Sequence, residues 1–150
     1  MNSDKMIEPE KIHIVSIKTL KGNIDCAADS NSEAIEGHTF KFQMEMGVNV
    51  KDKIIGFQFG VNIEGVGKSD EELNISGSYT HEILFMVENL NDFLVENPTG
   101  VTIDALLGST LVGIAYSTTR GIIFNRTQGT SLGTVTLPVI DPSLLMPRSE

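Results

Sequence analysis

Ser78, His81 and Glu82 bring the three residue types of a hydrolytic relay close together, and Gly67-Lys68-Ser69 ends like a phosphate-binding loop. Neither passes a geometric test. On a strand, successive side chains alternate between faces, so His81 points away from Ser78 and Glu82 and no proton relay closes. A phosphate loop needs a glycine five residues ahead of the one that precedes its lysine, and Asn62 stands there. His13, His38 and His81 each lack a second His or Cys at ligand spacing, so neither a metal nor a cofactor is expected. Cys26 is the only cysteine, which precludes an intrachain disulfide, and in a polar stretch it reads either as a reactive thiol or, in preference, as a small filler. The chain is therefore read as a non-enzyme.

What remains is apolar patterning, and it assigns the elements. Phe40, Phe42, Met44, Met46 and Val48 share one strand face, with Thr39, Lys41, Gln43 and Glu45 opposite. After a polar turn at 49–53, Ile55, Phe57, Phe59, Val61 and Ile63 repeat the pattern, which predicts a hairpin with one strongly apolar face. Leu73, Ile75, Tyr79, Ile83 and Phe85 predict a third long strand, bent at Ser76-Gly77-Ser78. An earlier strand over 12–19 is apolar on both sides, as if covered twice or paired at an interface. Residues 22–37 read as a connection or an irregular strand.

The second half is helical. Asn89 is placed to cap a short helix over 90–95, and Thr102 to cap a long one over about 102–125, with Asp104 in its first turn. Ile103, Leu106, Leu107, Leu111, Ile114, Thr118 and Ile122 form the expected apolar stripe. Ser109, Gly113, Ser117 and Gly121 recur every fourth position, a ridge without bulk. Helical glycines cost ~1 kcal/mol each against alanine, so close approach of the chain's own sheet or of a second subunit should compensate. An extended run over 132–137 and an Asp141-Pro142 cap predict a short terminal helix.

Composition bounds the rest. The 150 residues suit one domain, with flexible ends expected at 1–10 and 147–150. Residues 1–36 carry a net −3, residues 37–100 a net −6 and residues 101–150 none. An acidic strand half argues against nucleic acid as a partner. No apolar run reaches the ~18 residues of a membrane span. With no visible export signal and a lone cysteine, a cytoplasmic setting is expected.

The order of strands, short helix, long helix and proline-marked tail resembles the SecB-type export chaperones. The residues carrying the resemblance are Ala115-Tyr116-Ser117-Thr118-Thr119-Arg120-Gly121-Ile122-Ile123 and the run from Gly133 through Pro138 and Asp141-Pro142 to Leu145. Thr118 stands where those chaperones place an aromatic, Pro138 comes one position early, and Asp141 replaces a favoured Asn. The likeness is thus to SecB-like proteins of unassigned role more than to the export chaperone itself. It implies an α+β fold, an antiparallel sheet of about four strands followed by a long helix and a short terminal one. It also implies ATP-independent holding of unfolded polypeptide by a dimer or tetramer. Phe40, Phe42, Met44, Met46, Phe57 and Phe59 would bind the client, methionine being adaptable at promiscuous surfaces. Ser109, Gly113, Ser117 and Gly121 would form the subunit contact. An antitoxin-like client in a toxin–antitoxin pair is one alternative. A hot-dog-type ligand binder or enzyme is another, disfavoured because its helix follows the first strand.

Overall fold

The structure is a computed structural model describing residues 5–146. The tail expected to be flexible at 147–150 lies outside the described residues, as do residues 1–4. Within the other expected flexible end, Pro9–Lys11 form a 3-10 turn, and Glu8 pairs with Lys11 and accepts from Asn89 Nδ2 at 2.9 Å.

Four long antiparallel strands form the sheet: β1 (Ile12–Cys26), β2 (Gly37–Asn49), β3 (Ile54–Val66) and β4 (Glu72–Val87). Their order across it is β1-β4-β3-β2, so residues 27–36 carry the chain from one edge to the other. The β2–β3 hairpin pairs as its alternation predicts, with Phe42 opposite Val61 and Met44 opposite Phe59. Asn49 closes its turn by accepting from Asp52 N at 3.1 Å.

The long helix α1 (Ala105–Thr127) covers one face of the sheet. Its cap is Asp104, whose Oδ1 accepts from Leu106 N at 2.8 Å. Thr102, the expected cap, lies instead in a small hairpin of β5 (Leu94–Asn97) and β6 (Gly100–Ile103). The short helix expected over 90–95 is accordingly a 3-10 turn, Leu90–Phe93, and Val95 belongs to β5. β-branched Val95, Val101, Thr102 and Ile103 favour that pairing, and Gly100 supplies the positive φ of +137° that its turn requires. After α1 an extended tail runs to a 3-10 turn, Pro142–Leu145, capped by Asp141 as expected.

The core lies between α1 and the inner faces of the two central strands. Ile55, Phe57, Phe59, Val61 and Ile63 of β3 are fully buried, as are Ile75, Ile83, Phe85 and Val87 of β4. Against them α1 packs Leu107, Leu111, Val112, Ala115, Tyr116, Thr119 and Ile123. This face is rotated from the expected stripe: Leu106 is exposed, and Ile114, Thr118 and Ile122 lie on its flank. The sheet supplies the bulk with its phenylalanines, so the helix approaches on smaller residues such as Ala115 and Thr119.

Two strand expectations change. β1 continues through Cys26, paired with β4 along its whole length, with register shifts after Ile14 and after Thr19. β4 stays paired through Gly77, and its irregularity lies just before the expected bend, at Asn74 with a φ of +57° and in a register shift against β3 between Glu64 and Val66. Gly77 has another use: a Cβ there would sit 2.9 Å from Leu132 Cδ2, so the glycine makes room for the tail.

Candidate functional site

Strand order divides the aromatic face in two. Phe57 and Phe59 belong to a central strand and are 0% exposed, so they are core and do not reach a client from this position. Phe40, Phe42, Met44 and Met46 belong to the edge strand β2 and are half-buried against the same core. Phe42 meets Tyr116 of α1 edge-on, with ring centroids 6.0 Å apart, and Phe59 at 6.2 Å. Phe40 stacks on Phe42 at 6.0 Å, and His38 follows at 6.5 Å. The result is a row of aromatic and thioether side chains between the free edge of the sheet and the helix.

The tail completes the wall. Leu132, Val135 and Leu137 are buried, and Ile140, Leu145 and Met146 are half-buried. Its root is fixed where Leu132 O meets the His38 ring at 2.8 Å and where Val135 N donates to Thr127 Oγ1 at 2.8 Å. Midway, Tyr116 OH donates to the Pro138 carbonyl. Burial holds that phenol's pKa above its ordinary value, which keeps the donor protonated. At the far end Met146 packs on Gly108, where a Cβ would come within 2.8 Å of its methyl. Among the described residues, the Val135 and Pro138 bonds are the only ones made by the backbone of residues 134–140. The tail is therefore held by side chains and not by a ladder, which makes it the cheaper wall to move.

The ridge on α1 points away from this site. Ser109, Ser117 and Gly121 are exposed, Gly113 is partly so, and a Cβ at Gly113 or Gly121 would have nothing within 4 Å. Packing on the chain's own sheet does not explain these glycines. Gly108 alone is repaid within the chain. At the ends of the same face stand Leu106 and Phe124, 47% and 43% exposed.

The groups that suggested chemistry stay apart. His81 is fully buried under α1, while Ser78 bonds to Asn62 Oδ1 on the opposite face of the sheet. Gly67-Lys68-Ser69 lies in the 3-10 turn between β3 and β4. Among the described residues no group of three or more His, Cys, Asp or Glu could hold a metal ion, and no helix is long and apolar enough to cross a membrane. The opposite sheet face carries a depression of about 460 Å³ floored by Gly47 and Gly56, with Glu45, Gln58 and Glu82 around it. Met46, Val48, Ile54, Phe57 and Leu84 also contribute to its lining.

Missed by sequence reasoning was the tail as a wall of the site, whereas the open β1 edge fits the interface alternative read from residues 12–19. Ile14, Val15, Ile17 and Leu20 of β1 are 46–52% exposed. For the tail, the alternation of Val135 and Leu137 with Thr134 and Thr136 was the available signal.

No protein-family model matches the sequence, and no curated protein matches it. In fold it matches the Mycobacterium tuberculosis Rv1957 SecB-like chaperone, solved in complex with a ChAD peptide from the Rv1956 HigA1 antitoxin. The match has a TM-score of 0.56 at 13% identity, covering 88% of this chain and 92% of that one. The fold is SecB-like: a four-stranded antiparallel sheet followed by one long helix, which is also the order that sets it apart from a hot-dog domain.

Proposed function

We propose that this chain is an ATP-independent holdase that binds unfolded or partly folded polypeptide along the inner face of β2. The observation that carries the reading is the half-buried row Phe40, Phe42, Met44 and Met46 beside a tail with few backbone bonds. An edge strand offers a client both apolar contacts and unpaired backbone groups, the two things an extended peptide needs. Methionine and phenylalanine recognise bulk and not sequence, which suits a client of no fixed identity. A cytoplasmic setting, in which Cys26 stays reduced, fits the same reading.

The antitoxin peptide bound by the Rv1957 protein favours one narrower version, in which the client is a partly folded antitoxin-like protein. An export client is the other version. The two separate on whether the chain protects a generic unfolded protein as well as it protects a disordered antitoxin segment.

The working form is proposed to be a homo-oligomer, dimer or tetramer, with two candidate contacts. β1 leaves a long sheet edge unpaired and carries four half-exposed aliphatic residues, an arrangement that invites pairing with another chain. The exposed face of α1 is symmetric about Ala115: Leu106 mirrors Phe124, Ser109 mirrors Gly121 and Gly113 mirrors Ser117. A two-fold contact must bring a surface onto itself. In an antiparallel pair crossing at Ala115, small residues would meet small ones, with Leu106 against Phe124 of the second copy at each end.

The test is suppression of aggregation of an unfolded client at near-stoichiometric ratio without nucleotide. Met46→Asp should weaken capture while leaving the circular dichroism spectrum intact, because Met46 sits at the margin of the row. Unfolding of that variant would make Met46 core, an unpaired buried charge being too costly to tolerate. Failure of the parent chain to protect any client would remove the holdase reading.

A further inference from the structure

His81 is the one histidine the fold seals completely. Its side chain points from β4 into the layer beneath α1, is 0% exposed, and has no hydrogen-bond partner on either ring nitrogen. Buried polar atoms almost always find partners, so an imidazole with both nitrogens orphaned calls for an explanation. A third orphan lies in the same layer: Thr119 Oγ1 of α1 is buried and unpartnered. Tyr116, the preceding inward residue on that helix, packs on Phe59, and Phe59 is the cross-strand partner of His81.

The groups facing His81 come from every neighbouring element. On its own strand Tyr79 stacks on the ring, with centroids 6.3 Å apart and planes within 7°. Thr19 of β1 and Phe59 of β3 flank it in register. From α1 comes the positive field of Arg126, and among these neighbours there is no carboxylate. A second positive charge at this place would be desolvated, unpaired and repelled.

We infer that His81 is an acid-sensitive latch: neutral, it packs under the C-terminal half of α1, and protonated, it forces that half and the root of the tail away from β4. The tail enters the argument because Leu132 packs on Gly77, two residues from Tyr79 on the same strand face. Loosening there would uncover the wall of the β2 row, so the latch regulates the proposed client site and rests on that reading for its purpose. The physical switch does not depend on it.

Burial, and secondarily Arg126, hold the His81 pKa below the usual 6.5. The unfolded chain therefore takes up this proton near pH 6.5, while the folded chain resists until lower pH. Stability is complete above 6.5 and falls on acidification toward the folded value, by up to about tenfold in the folding equilibrium constant per pH unit.

The experiment follows the full chain from pH 7.5 to 5.0 by chemical denaturation and by hydrogen exchange. The expected result is a falling stability and early exchange in residues 117–127 and β4. His81→Phe should flatten the slope. A His81→Phe slope equal to the parent's overturns the latch, as does acid-accelerated exchange spread evenly over the fold. If His81→Phe does not fold, the imidazole of the parent chain is titrated by NMR, and a pKa at or above 6.5 overturns it too. Client capture at pH 5.5 tests the separate reading: a loosened tail without enhanced capture removes the regulatory role and leaves the latch standing.

Discussion

β1 and β2 are the two edges of one sheet, and the chain treats them differently. β2 places Phe40, Phe42, Met44 and Met46 under partial cover from α1 and its own tail, with polar residues on the other side. β1 has no such cover: Ile14, Val15, Ile17 and Leu20 stand half-exposed, and the strand departs from regular pairing after Ile14 and after Thr19. A surface lined by flexible methionine and stacked aromatic rings can change its occupant. Stiff β-branched residues on a long strand suit a partner of fixed geometry. Under the proposed function, the difference separates a site for exchangeable clients from a surface for a lasting subunit contact.

The largest effect should come from crossing the line between β2 and β3. Phe57→Ala empties a site that is 0% exposed and should cost ~3–5 kcal/mol, enough to unfold much of a marginal domain. Met44→Ala removes a half-buried side chain and should cost about 1–2 kcal/mol while cutting client capture more strongly. Denaturation midpoints and aggregation assays on the pair give both numbers. Equal destabilisation by the two changes would place β2 in the core and erase the distinction.

That line is where the sequence stops being legible. The alternation of Phe40 to Val48 is as regular as that of Ile55 to Ile63, because both strands present one face to the same helix. Alternation assigns a face; only strand order decides which strand stands at the edge, and order comes from long-range pairing that no local period records. The β2–β3 hairpin and α1 were readable because each buries one side and solvates the other. The second half of β1 was not, since an edge strand exposed on both sides has no burial to impose a pattern. β5 and β6 were too short to carry one. The rotation of α1 escaped for the opposite reason: Leu106, Ile114 and Ile122 are as apolar as the residues that are buried, so composition alone did not fix the face. At the site, the β2 row could be read from residue types, while the tail that walls it emerges only in three dimensions.

A smaller effect should divide the two surfaces proposed for self-association from the fold itself. A Cβ at Gly113 meets nothing within 4 Å in the single chain. Gly113→Leu should therefore leave an isolated protomer intact and favour its helix by ~1 kcal/mol. Across an antiparallel pair the same leucine overfills the centre and should cost about 1–3 kcal/mol, a loss of roughly fivefold to 150-fold in association. Ile17→Lys should do the same at the β1 edge without disturbing α1. Light scattering across a dilution series reads both. A parent chain that stays monomeric at micromolar concentration ends the argument for either contact, and a Gly113→Leu assembly as tight as the parent's ends it for the helix.

The smallest effect is electrostatic and concerns rates. Residues 37–100 carry ten acids and four bases, and Glu45, Glu64 and Glu82 lie on the sheet face opposite the β2 row. Charge on the far face cannot contact a client in the row, but its field extends about a Debye length, ~10 Å at 0.1 M salt and ~3 Å at 1 M. It should therefore raise the encounter rate with basic clients and leave the bound state, which is apolar, almost untouched. Stopped-flow capture of a basic client should slow severalfold between low and high salt, with dissociation unchanged. An acidic client should show the opposite trend, its capture speeding up as salt screens the repulsion. Were dissociation of the basic client to rise with salt as steeply as capture falls, the row would be binding by charge, and its apolar side chains would be only support for the sheet edge.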